Sequence, residues 1–176
     1  WQLQSGKYIW QTKSMIHSDL FTLVKAAPRE EHTWLHSLIL FGLYSLGGYS
    51  TISLLKGLLV TGTLVCLVTV ARVRSATWPA ILLVVPLFLL TSGGWLERPQ
   101  IWTFLIFALF LLVLQKFLEH QNWSILWLFP LSFFWANVHA GSVLAIALLV
   151  AYLIGGTCDR YLPGRASSFD LRKLLA

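Results

Sequence analysis

Acidic side chains are scarce in this chain: 7 Asp and Glu stand against 13 Lys and Arg among 176 residues. Charged residues of both signs make up 11% of the chain and hydrophobic residues 57%. A water-soluble domain of this size needs more polar surface, so the composition excludes one and points to an integral membrane protein. Strict alternation of apolar and polar residues is also missing. The long uniform blocks therefore do not fit the strands of an outer-membrane barrel, and the spans are expected to be α-helices. Cysteine is rare: Cys66 inside an apolar block and Cys158 at the end of another point to neither a disulfide framework nor a metal knot. Methionine occurs once, at Met15, and the chain opens on Trp1. The expectation is that a natural start, and any earlier span, lies upstream of Trp1.

What is present divides into three parts. Residues 1–32 mix charges with aromatics and are expected to form an interfacial loop with short amphipathic helices; 33–157 form a transmembrane helical bundle; 158–176 form a polar loop and the start of a further helix. The fold expected is all-α, a polytopic bundle of about six spans, at about 33–47, 50–71, 77–93, 99–117, 123–138 and 141–157. Gly47-Gly48, Arg72 with Arg74, and Gly93-Gly94 punctuate these spans, and Pro99 suits a first helical turn. Of the 9 tryptophans, Trp78, Trp95, Trp102 and Trp123 fall near span ends, where indoles serve as belt and packing residues.

Six spans put Lys7, Lys13, Lys25, Arg29, Arg72, Arg74, Lys116, Arg160, Arg165, Arg172 and Lys173 on one side, with Arg98 and a snorkelling Lys56 on the other. By the positive-inside rule, residues 1–31 then face the cytoplasm. The net charge of +6 needs no nucleic-acid partner, because topology and anionic headgroups account for it.

Polar residues near apolar blocks are the candidates for function. His32 and His36 share a helix face in "EEHTWLH", but a zinc site wants a third ligand, so they read as interfacial histidines beside Trp34 and no metal is expected there. Glu97 and Arg98 can pair at a span end. By span parity, the Arg98 end of the fourth span and the "WANVHAG" end of the fifth lie on one membrane face. Arg98, Gln100, Asn137 and His139 would then line a polar pocket, with Gly141 permitting close approach. The alternative is a helix junction in which Asn137 and His139 cap free backbone groups.

The order of "WQLQSGKYIW", "HSDLFT", "EHTWLHSLILFGLYSLGG", "RPQ" and "WANVHAG" resembles bacterial polytopic glycosyltransferases of the GT-C type, over most of the chain. The resemblance implies a polyprenyl-phosphate sugar donor, a location in the bacterial cytoplasmic membrane, and a first extracytoplasmic loop packed over the cavity mouth. It makes Trp1 to Glu31 most of that loop and Asp19 the catalytic acid within it. His32, with Trp34, becomes the return into the next span, and joins Arg98, Gln100, Asn137 and His139 as substrate-binding residues. The principal acid of such enzymes usually follows the first span, which here would precede Trp1. A carboxylate there deprotonates an acceptor or holds a divalent cation, while Arg and His offset phosphate charge. The loop orientation conflicts with the basic-residue count. A non-catalytic membrane subunit bound to a larger complex is the alternative. A transporter ranks third, because no repeat is visible and the span interiors lack Asp, Glu and Arg.

Overall fold

The computed structural model describes residues 1–17, 31–73, 98–120 and 123–161, with Trp78 and Leu82. Asp19, Glu97, nearly all of the expected third span and most of 158–176 lie outside the described residues. Every regular element described is helical: α1 (Gln2–Thr12), α2 (Trp34–Val73), α3 (Gln100–His120), a 3-10 turn (Trp123–Trp127), α4 (Leu128–Val138), a second 3-10 turn (Ala140–Ser142) and α5 (Val143–Tyr161). The protein is thus an all-α membrane protein. Three of its described helices are long and apolar enough to cross a bilayer, Trp34–Arg72, Gln100–Glu119 and Ala140–Cys158, and a shorter apolar segment runs over Ser124–Val138.

Two expected spans, 33–47 and 50–71, occur as the single run α2, broken where the glycine pair predicted a boundary. Gly47 (φ −160°, ψ 25°) and Gly48 (φ 64°, ψ −146°) both leave helical geometry. Gly48 occupies a region that a side chain would strain. The break is sharp. The Thr51 hydroxyl donates to the carbonyls of Gly48 at 2.9 Å and Leu43 at 2.5 Å, although a straight helix would separate residues eight apart by about 12 Å. The first arm, 34–46, is only about 20 Å long, short of a hydrocarbon core of about 30 Å. The second arm is long enough to cross.

α1 has a buried face of Ser5, Gly6 and Ile9 and is too short to cross a membrane, at roughly 16 Å. Its start meets His36, its middle lies against Ser37 and Phe41, and its end shares a groove with Trp34 and Leu38. It therefore crosses the beginning of α2 obliquely. α3 is the central helix, packed against α2, α4 and α5. The core joins its Ile106 and Phe110 to Trp135 of α4 and Ala145 of α5, with Trp102, Leu131, Phe134 and Leu148 around them.

Candidate functional site

The start of α3 begins with Arg98 and Pro99, whose carbonyls accept from the backbone N–H of Ile101 and Trp102 at 3.1 and 3.2 Å. This turn sets Trp102 and Thr103 inward. α4 ends where His139 takes an extended conformation (φ −157°, ψ 139°) and the chain re-enters a 3-10 turn at Ala140. The first turn of α3, the end of α4 and the start of α2 meet at one end of the bundle, and polar side chains join them.

Two chains of hydrogen bonds run through this end. In the first, the Trp102 indole N–H donates to His36 Nδ1 at 3.0 Å, and His36 Nε2 lies 3.3 Å from Gln2 Oε1. An indole can only donate, so Nδ1 carries the lone pair, and the neutral ring's proton on Nε2 goes to Gln2. In the second, the Trp135 indole donates to Thr103 Oγ1 at 3.0 Å, and Thr103 Oγ1 lies 2.8 Å from His139 Nδ1. His139 Nδ1 also accepts the Gly141 backbone N–H at 3.1 Å, so the threonine hydroxyl is the donor of that pair. Both imidazoles are thereby fixed as Nε2–H tautomers, and neither Nδ1 is left to act as a base.

A third link spans a still longer stretch of sequence: the Trp34 indole donates to Asn137 Oδ1 at 3.2 Å, while Asn137 Nδ2 donates to the Phe133 carbonyl at 2.7 Å. His36 and Trp135 are almost wholly buried, at 1% and 0% exposure, so losing a partner here would leave a polar atom without water to replace it. Gly141 is required by close approach. A Cβ there would lie 2.6 Å from both His139 Nδ1 and Thr103 Oγ1. Burial also holds the His139 imidazole, in the junction between α4 and α5, below its ordinary value.

No family model, curated protein or solved structure matches the chain.

The ends expected to converge do so, through other side chains than those expected. Arg98 and Gln100 are exposed at the mouth of this end, whereas the contacts to the α4 junction come from Trp102, against Phe134 with ring centroids 5.3 Å apart, and from Thr103. Asn137 and His139 are inside the network. They also fulfil the capping alternative, His139 for the Gly141 amide and Asn137 for a carbonyl. His32 is exposed just before α2, and Asp19 is outside the described residues. Among the described residues no group of three His, Cys, Asp or Glu could hold a metal ion. Sequence reasoning missed Gln2, Thr103 and Trp135 and read His36 as interfacial. A signal did exist for one: Trp135 and His139 are four apart, which can direct both toward one neighbour.

Proposed function

We propose that the chain is a membrane-embedded glycosyltransferase of GT-C type that transfers a sugar from a polyprenyl-phosphate donor at this polar end of the bundle. One observation supports the reading above the others: among the described residues, segments that carry the resemblance, or residues next to them, are hydrogen-bonded together. The return of the N-terminal loop, through Trp34 and His36, is tied to Asn137 of "WANVHAG" and to Trp102 just after "RPQ". α1, inside the same loop, is pinned to this end through Gln2. A loop so anchored can cover the mouth of a membrane cavity.

In this reading Asp19 takes the acceptor proton, the exposed Arg98 and Gln100 meet donor phosphate at the mouth, and the Nε2–H edge of His139 supplies a further donor. The bonds from Thr103 and Gly141 hold the His139 ring in place, so that this donor needs no reorganisation as charge develops on the departing phosphate. The test is sugar transfer by the full-length protein in vesicles supplied with a labelled polyprenyl-phosphate sugar. Asp19→Asn should abolish transfer, and His139→Ala should reduce it, with membrane insertion of both intact. Transfer unaffected by either substitution would sink the assignment.

The second reading, a non-catalytic subunit, draws support from α5, of whose apolar span only 11% is buried within the chain. Such a face suits a partner helix as well as lipid. Absence of transfer from all donors, together with stable co-purification of a membrane partner lost on changing Ile146 or Val150, would favour it.

A further inference from the structure

Between the end of α1 and the start of α2 lies a groove of about 330 Å³ lined by Ile9, Trp10, Lys13, Ser14, Met15, Trp34 and Leu38. That volume is within the range of clefts that hold small ligands, about 300–1,000 Å³. Five of the lining side chains are apolar or aromatic, one is a hydroxyl and one is a cation; among the described residues no carboxylate lines it. Lys13 closes α1 in the left-handed conformation (φ 56°), with its N–H on the Ile9 carbonyl, and its Nζ sits 3.9 Å over the centre of the Trp10 ring. The ammonium is thus held at the groove by the aromatic face. On the opposite wall Trp34 is fixed by its bond to Asn137.

We propose that this groove holds the headgroup and first acyl carbons of one anionic bilayer phospholipid. The argument is complementarity in charge and in polarity. A phosphodiester carries one negative charge next to an apolar tail, and the groove offers one cation beside an apolar wall, the Ser14 hydroxyl already donating to Thr12 Oγ1 at 2.9 Å. The short α1, buried on the side facing α2, with Lys7 exposed on the other and Trp10 exposed at the rim of the groove, has the make-up of a helix lying in the headgroup layer where such lipids are found. The proposal is independent of sugar transfer.

The test is native mass spectrometry of the full chain in mild detergent with equal amounts of phosphatidylglycerol and phosphatidylcholine of matched acyl chains. One phosphatidylglycerol should be retained over phosphatidylcholine by about fivefold, the preference that one lysine near an anionic surface confers. Lys13→Gln should remove the preference and Lys13→Arg restore it. Ser14→Trp, which fills the groove and keeps the charge, should lower retention of both lipids. Lys7→Gln, on the other face of α1, should leave the preference unchanged. Equal retention of the two lipids by the parent chain, or an equal loss on changing Lys7 and Lys13, would overturn the groove in favour of diffuse surface charge. Displacement by an equal amount of polyprenyl phosphate would also overturn it, assigning the groove to a donor lipid.

Discussion

α3 and α5 are nearly equal in hydropathy over their most apolar stretches, yet 44% of the first stretch is buried within the protein and 11% of the second. The difference does not come from apolar character. Lipid tails are as apolar as leucine, so no hydrophobic force draws one span against another, and packing with a few hydrogen bonds decides which helix is central. α3 carries those bonds at both ends: Trp102 and Thr103 near its start, Gln115 near its finish. α5 meets it through Ala145 in the core and Tyr152, whose hydroxyl accepts from Gln115 Nε2 at 2.6 Å. Its Val143, Ile146, Val150 and Ile154 face outward on one stripe, each at least 46% exposed. Among the described residues, a helix becomes central by owning polar partners at both ends, and peripheral where a single such bond holds it.

The most damaging test of that contrast is Trp135→Ala. The ring is fully buried, stacks edge-on against Phe110 with centroids 5.5 Å apart, and donates to Thr103. Its loss should cost about 3 kcal/mol, the lower end for a buried aromatic, because the ring's alternative environment is lipid and not water. Unfolding by SDS titration in mixed micelles measures it. A loss under about 1 kcal/mol would mean that the α3–α4 contact is no more structural than the α5 surface.

Gly141→Ala comes next. The added methyl meets two hydrogen-bonded atoms at 2.6 Å, and neither can retreat without breaking its own bond. Overpacking of this kind should cost about 2 kcal/mol by the same titration.

The His139 junction should also respond to pH. Burial lowers its imidazole below the usual 6.5, so the unfolded chain takes up a proton at a higher pH than the folded one. The sign follows: the stabilisation is complete above about 6.5 and is lost as pH falls toward the lower folded value. Protonation would also put a proton on Nδ1, where Gly141 and Thr103 already donate. His139→Asn keeps an acceptor for the Gly141 amide but cannot titrate. Unfolding compared at pH 7.5 and 5.5 should show a smaller acid loss in the variant. An identical slope would assign the acid sensitivity to another group.

Much of the linear organisation was legible. The span expected at 99–117 is helix Gln100–His120, that at 141–157 is helix Val143–Tyr161, and Gly47-Gly48 does break the chain. Long apolar runs and glycine pairs report such boundaries directly. Which side chains meet was far less legible. A helix that is apolar all round has no periodic signal to fix its rotation about its own axis. A tryptophan near a span end satisfies the belt rule whether it points outward or, like Trp102, toward a buried histidine. His36 looked like half of a weak metal motif with His32, and only its contacts with Gln2 and Trp102, on two other helices, reveal it as a crosslink. Asn137, His139 and Gly141 were found because a polar run between two spans is expensive and therefore conspicuous. Their partners were not.

The smallest effect sharpens the comparison most. Tyr152→Phe removes the hydroxyl that accepts from Gln115 and alters nothing else in shape. Hydrogen bonds between membrane helices average about 0.6 kcal/mol, because the separated helices find other partners, and that is the loss expected. Ile146→Ala, on the outward stripe at 65% exposure, should lie within about 0.5 kcal/mol of zero, since the methyl groups exchange one apolar neighbour for another. The two substitutions therefore bracket α5. If Tyr152→Phe is the costlier, the helix is held at a point and its outer face is free to meet lipid. If Ile146→Ala costs more, by 1 kcal/mol or above, that face is packed in the assembled protein, and the shallow burial of α5 marks the seat of a partner helix.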